Sequence, residues 1–328
     1  MSPFPLNWGR PADRHTLPRP GVRPTAPQSS PVVAAPPVPV RPAASRVDRA
    51  SLSPSAGVRT AEGLQAVLAR VMDQHAFQDA SVVIRDVTTG DMGTWRAASI
   101  RPSASIAKLY VMVEMERQRV EAGLDPEMRV RIRPENMTET WLPVLKAGDE
   151  VSVQRLVDLM ITRSDNVATN TLMDVLGRQN INATMARLGW PDLQLNRKLG
   201  GAAPIPDPGY VGGRNQVRAD QVSDLLARIE EGRLITPEAS ARMKEILGRQ
   251  MDNDKIPAAL PPDARVYHKT GETSRVTHDT GIVVLGGRRL VLSILSERPP
   301  GGTTYRTFAN VARDLVLEAR RQPVSPRP

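Results

Sequence analysis

Residues 265–296 read RVYHKTGETSRVTHDTGIVVLGGRRLVLSILS. Three segments of this stretch are strand-like: Arg265–Thr270, Thr280–Leu285 and Arg289–Ser296. They are rich in β-branched and other apolar residues and are separated by glycine and polar turn residues. A second strand region lies near the other end of the chain. Ala80–Asp86 (ASVVIRD) reads as a strand, Thr88-Thr89-Gly90-Asp91 as a turn and Met92–Ala97 as the returning strand. The rest is helical. Ala61–Phe77 puts Leu64, Val67, Leu68 and Val71 on one face. Ile106–Ala122, Val153–Met160, Asn166–Leu176, Gln216–Glu231 and Pro237–Gly248 follow, and Thr304–Arg320 closes the chain. Strand runs separated by a helical middle indicate an α+β fold. The expectation is one antiparallel five-stranded sheet with flanking helices, an all-helical lobe beside it, and the active site in the cleft between them.

Composition bounds the function. The chain has 328 residues, a formal net charge of +9, 3% aromatic residues and no cysteine. Without cysteine there is no disulfide, no thiolate nucleophile and no cysteine-bound zinc. The four histidines, His15, His75, His268 and His278, show no paired metal-ligand spacing, so neither metal nor cofactor is expected. His268 and His278 read as residues flanking strands. Sparse aromatics argue against base-stacking platforms, and the basic excess forms no run, so no nucleic-acid partner is expected. No apolar run reaches the roughly 20 residues of a spanning helix. Residues 1–58 hold 13 of the 30 prolines and seven arginines. That segment reads as a disordered proline-rich tail, residues 59–322 as the folded domain and 323–328 as a disordered end.

Three short motifs carry chemistry. Ser105-Ile106-Ala107-Lys108 begins a helix, so serine and lysine share one face. A serine hydroxyl is a weak nucleophile until a base takes its proton, and a lysine of lowered pKa can be that base. Ser164-Asp165-Asn166 follows a helix and also fits an ordinary N-cap. Lys269-Thr270-Gly271 ends a strand-like stretch and also fits an exposed strand end; glycine there lets a ligand approach the backbone. Each motif occurs once, with 59 residues from Ser105 to Ser164 and 105 from Ser164 to Lys269.

In this order and spacing, the set resembles the class A β-lactamases and their penicillin-binding serine hydrolase relatives. Trp141-Leu142-Pro143-Val144 is similar to the family's aromatic wall, and His278-Asp279-Thr280-Gly281 to the strand beside the Lys-Thr-Gly strand. The resemblance implies a serine hydrolase acting through an acyl-enzyme on β-lactams. It implies Ser105 as nucleophile, Lys108 as the group sharing its proton, and Ser164 as proton relay to the leaving nitrogen. Asn166 would hold the substrate's side-chain amide. Lys269 and Thr270 would face its carboxylate, and Gly271 lets the strand lie close. The backbone N–H groups of Ser105 and Glu272 would form an oxyanion hole. Lys255 is either a further cation for the carboxylate or a solvated surface lysine. The implied partner is a small-molecule β-lactam or a D-Ala-containing peptide, and the chain is expected to act as a monomer. The resemblance also places it outside the cytoplasm, although the sequence opens without a leader pattern.

One departure stands out. Where the family carries a deacylating glutamate, this chain reads Leu195-Asn196-Arg197-Lys198-Leu199, with Leu199 at or near the position. No glutamate occurs between Gly177 and Ile229. Lys198 is expected to be charged and exposed, and Asp192, Asp207 and Asp220 are the remaining acids. Slow release of the acyl group follows. Two alternatives stay open: a D-Ala-D-Ala carboxypeptidase or related peptidoglycan-processing enzyme, and a non-catalytic β-lactam or muropeptide sensor.

Overall fold

Strands from the two ends of the domain meet in one sheet. The computed structural model describes residues 62–140, 142–200 and 205–322. The expected tail and C-terminal end lie outside the described residues. The sheet comprises β1 (Ala80–Asp86), β2 (Met92–Trp95), β7 (Arg265–Thr273), β8 (Val276–Leu285) and β9 (Arg288–Ser296). Its order is β2-β1-β9-β8-β7, antiparallel throughout. β8 and β9 turn on Gly286-Gly287, both at positive φ, the conformation a two-residue hairpin requires and glycine adopts freely.

Alternation along the strands divides the core in two. Val82 and Ile84 of β1 and Leu290, Leu292 and Ile294 of β9 pack with α1 (Glu62–Gln74) and α8 (Gly302–Arg321). Val83, Ile282, Val291 and Leu295 face the opposite way, into the helical middle. With both faces covered, β8 is buried almost throughout. Each fully buried Val, Leu or Ile side chain contributes about 1.5–3 kcal/mol by leaving water. The middle contains α2 (Lys108–Glu121), α3 (Val153–Thr162), α4 (Asn166–Leu176), α5 (Arg178–Arg187), α6 (Ala219–Glu230) and α7 (Pro237–Leu247). Asp165 caps α4 by accepting the Ala168 N–H at 2.8 Å, a contact of about 1 kcal/mol.

The observed elements depart from the expected ones at particular places. The segment before α2 is a 3-10 turn, Ala104–Ala107, and α helix begins only at Lys108. β2 stops at Trp95 instead of Ala97, and α3 runs on to Thr162. Gln216–Val217 is β6, paired with β3 (Arg101–Pro102), so α6 starts only at Ala219. β4 (Arg129–Arg131) pairs with β5 (Glu150–Ser152). These two-to-three-residue strands are too short to show a period and exist through distant partners. α5 was not expected; its sequence RQNINATMAR has few apolar residues to mark a face. Lys269-Thr270-Gly271 lies inside β7, which continues to Thr273, and does not end it. No described helix is long and apolar enough to cross a membrane.

Candidate active site

Ser105 lies in the 3-10 turn and Lys108 opens α2, so one turn of chain brings Lys108 Nζ to 2.8 Å from Ser105 Oγ. Lys108 is wholly buried. Its Nζ also meets the Ser164 carbonyl at 2.6 Å, Ser164 Oγ at 3.0 Å and Asn166 Oδ1 at 2.8 Å. Ser164 holds φ at +55°, a left-handed conformation that costs a side-chain-bearing residue about 1–3 kcal/mol. In that conformation both its carbonyl and its hydroxyl meet the same amine.

The partners of Lys108 decide what it can do. The Ser164 carbonyl and Asn166 Oδ1 can only accept. A neutral amine has two N–H bonds and one lone pair. With both N–H bonds given to those acceptors, the lone pair is left for a hydroxyl, and Ser105 is the nearer of the two. Burial, and after it the charge of Lys269, push the Lys108 ammonium well below the ordinary lysine range, against the pull of Asp165. The amine is therefore placed to take a proton from Ser105.

Lys269, on β7, is also wholly buried. Its Nζ donates to the Thr270 carbonyl at 2.8 Å and to Ser164 Oγ at 3.1 Å. Burial pulls its pKa down to about 7, with Asp252 and Asp279 opposing. Ser164 Oγ thus lies between two lysine amines. A Cβ on Gly271 would stand 3.2 Å from the Ser105 nitrogen and 3.1 Å from Ile106 Cγ1. A residue without a side chain lets β7 press against the turn that carries Ser105. A cleft of about 680 Å³ opens here, lined by Ser105, Ser164, Asn166, Thr270, Gly271 and Glu272, among others.

Lys255 is not a solvated lysine. It is 1% exposed, and its Nζ contacts Asp252 Oδ2 and Glu272 Oε1, each at 2.8 Å, and faces the Tyr305 ring. Burial works against its charge, but Asp279, Asp252 and Glu272 overcome this and hold the ammonium above the ordinary range. Trp141 lies outside the described residues.

Leu199 lines a smaller cavity of about 110 Å³ that Ser105 and Asn166 share. Its N–H donates to Asn170 Oδ1 at 2.8 Å and its carbonyl accepts from Asn170 Nδ2 at 2.7 Å. Lys198 is buried, contrary to expectation, and its Nζ reaches Asn136 Oδ1 at 2.6 Å and Asp174 Oδ1 at 2.9 Å. Asn170 and Asp174 belong to α4, so that helix holds the loop in place. The other acids are engaged. Asp192 pairs with Arg218 at 2.8 Å, Asp220 with Arg218 at 2.5 Å, and Asp207 pairs with Arg178 and accepts the Lys198 N–H.

The histidines and one asparagine add to what the motifs indicate. His268 and His278 lie within β7 and β8, buried, rather than beside them. His278 Nε2 donates to the Pro102 carbonyl at 2.8 Å while Nδ1 accepts the Ser296 N–H at 3.1 Å. Those bonds fix a neutral tautomer, and burial pushes its pKa down to about 4. The imidazole thereby ties β8 to the segment leading into Ser105. Asn170 has no place in the three motifs; its spacing of four from Asn166, which puts both amides on one face of α4, is the signal that could have found it. Among the described residues no group of three acids and histidines could hold a metal ion.

Comparison with known proteins adds to this geometry. A family model described as the beta-lactamase enzyme family matches residues 62–319. The extended-spectrum beta-lactamase PER-1 of Pseudomonas aeruginosa is 24% identical over 241 residues, 66% of this chain and 77% of that protein. A beta-lactamase from Sphaerobacter thermophilus superposes with a TM-score of 0.69 at 24% identity, covering 80% of this chain and 98% of that one. A leucine-to-glutamate mutant of PBP-A, in an acyl-enzyme complex with penicillin G, gives a TM-score of 0.70 at 22% identity, covering 78% and 97%.

Proposed function

The chain belongs to the beta-lactamase enzyme family, and we propose that it is a class A-like serine hydrolase that acts on β-lactams through an acyl-enzyme on Ser105 that is released slowly. One observation carries the first half. Lys108 Nζ lies 2.8 Å from Ser105 Oγ while two obligate acceptors take its N–H bonds. In this reading Lys108 takes the Ser105 proton as Oγ attacks the carbonyl carbon. The oxyanion is met by the backbone N–H groups of Ser105 and Glu272, which the close approach of Gly271 to Ser105 supports. The proton returns from Lys108 through Ser164 Oγ, 3.0 Å away, to the departing nitrogen. Lys269 and Thr270 receive the substrate carboxylate, and Asn166 its side-chain amide. Lys255 has no part in that step, since its ammonium is committed to Asp252 and Glu272.

The second half rests on Leu199. Hydrolysis of the acyl-enzyme requires an activated water, and a leucine side chain accepts no proton. Lys198, Asp192, Asp207 and Asp220 are held by other partners. Loss of a general base costs about 10²–10⁴-fold. The same leucine favours a second substrate class, D-Ala-terminated peptides, for an enzyme that acylates readily but is poorly equipped to hydrolyse penicilloyl esters. Intact mass spectrometry after a penicillin pulse tests the proposal. A penicilloyl adduct should appear within the burst and outlast it; rapid, linear, burst-free turnover with no adduct contradicts it.

A further inference from the structure

The two sides of the cleft differ in charge. The proposed proton donor to the leaving nitrogen is Ser164, so the leaving group lies on the side that Ser164 and Thr270 line. Asp252 and Glu272, joined through Lys255, and the neighbouring Asp254 line the cleft there as well. Arg163 is the one guanidinium or ammonium side chain lining it among the described residues. Lys255 lies beneath and is shared between Asp252 and Glu272, so the trio keeps one net negative charge. Asp254 is exposed, and among the described residues it forms no ion pair. Across Ser105, the smaller cavity is lined by Arg197, Lys198 and Arg214.

Glu272 has a special position in this arrangement. It follows Gly271, whose backbone lies against the Ser105 nitrogen, and it lines both cavities. Its carboxylate reaches Lys255 at the part of the cleft that Asp252 and Tyr305 also line, where its charge acts on the outer part of whatever leaves. It also takes up Lys255, the cation that could otherwise answer a substrate anion at this end.

We propose that Glu272, with Asp254 beyond it, makes the leaving-group side of the cleft selective for substrates whose leaving half carries an ammonium or other cationic group and against those with a second anion there. This rests on the acyl-transfer reading of Ser105. Lys269 and Thr270 still accommodate one carboxylate next to the scissile bond; the selection acts on the charge that lies further out.

Two cephalosporins with the same acyl side chain and ring carboxylate, one with a pyridinium and one with a carboxylate-bearing 3′ substituent, test the inference. Second-order acylation is read by intact mass spectrometry, and the pyridinium-to-anion ratio is compared between wild type and Glu272→Gln. Comparing ratios cancels the intrinsic reactivities of the two compounds. The ratio should fall at least tenfold in Glu272→Gln, and it should shrink in wild type at high salt. Asp254→Asn, at an exposed position, should lower it at least threefold and serves as the deciding variant should Glu272→Gln not fold. An unchanged ratio in a variant that still acylates overturns the inference and leaves the acyl-transfer reading standing. Absence of acylation of wild-type Ser105 by either compound overturns that reading instead.

Discussion

Replacing Leu199 by glutamate should turn a slow acyl-enzyme into a turning-over one. The backbone there is already held in place, with both its N–H and its carbonyl bonded to Asn170. The side chain is partly buried and lines the cavity that Ser105 shares. Trading its apolar contacts for a carboxylate costs about 1 kcal/mol of stability, part of the value of a fully buried leucine. The kinetic gain is larger. A positioned general base is worth about 10²–10⁴-fold, or about 3–5 kcal/mol off the deacylation barrier. Acylation uses Lys108 and Ser164, neither of which changes, so its rate should stay within a few-fold. The assay is a penicillin pulse followed by intact mass spectrometry over time, with Leu199→Gln as the variant of equal shape that lacks the base. The adduct half-life should shorten at least 100-fold in Leu199→Glu and little in Leu199→Gln. A folded Leu199→Glu protein that acylates normally and keeps its wild-type adduct lifetime would refute the reasoning. The hydrolytic water would then be activated elsewhere in the cleft.

Other outcomes follow from the same geometry. Lys269→Ala should slow acylation by carboxylate-bearing substrates about 10–100-fold, the worth of a hydrogen bond to a charged group. In the wild-type protein that rate should fall as pH rises through about 7, where the buried Lys269 loses its charge, and Lys269→Arg should flatten the fall; a pH-independent rate in wild type contradicts this. His278 has its pKa depressed to about 4, so the folded protein resists protonation there while the unfolded chain protonates near 6.5. Its contribution is whole above pH 6.5 and is lost as pH falls toward 4, by up to about 3 kcal/mol. Denaturant titrations of wild type and His278→Gln should differ in their pH dependence over that range, and equal dependence would remove His278 as the cause. Deleting residues 1–58 should leave the melting temperature and acylation rate unchanged, because the sheet, both core clusters and the site lie within residues 62–322; a large drop in either would count against it.

Most of the fold is legible in the sequence because the longer elements announce themselves locally. Ala80–Asp86 and Asn166–Leu176 match the expected spans to the residue. The five-stranded sheet follows from strands whose alternation serves two cores. What the sequence could not show depends on distant partners. The pairs β3 with β6 and β4 with β5 are two or three residues long and have no period to read. α5 lacks the apolar stripe that marks its neighbours.

The same division runs through the site. Ser105, Lys108, Ser164 and Lys269 can be named from their motifs, and hydrogen bonds join them in the fold. Lys255 and Lys198 look like surface lysines in the sequence because a lysine's exposure is set by carboxylates brought up by other elements. For Lys255 these are Asp252 and Glu272; for Lys198, Asp174. No local pattern reports such pairs. His278 escapes a local reading for a related reason, since its partner Pro102 is 176 residues away.

Every step of the proposed chemistry depends on Ser105 as the residue that becomes acylated. The direct measurement is peptide mapping of the protein after labelling with a penicillin, wild type beside Ser105→Ala. The penicilloyl mass should fall on the peptide containing Ser105, at one group per chain, with no labelling of Ser105→Ala. Labelling of that variant at the wild-type rate, or an adduct on any other residue, would contradict it.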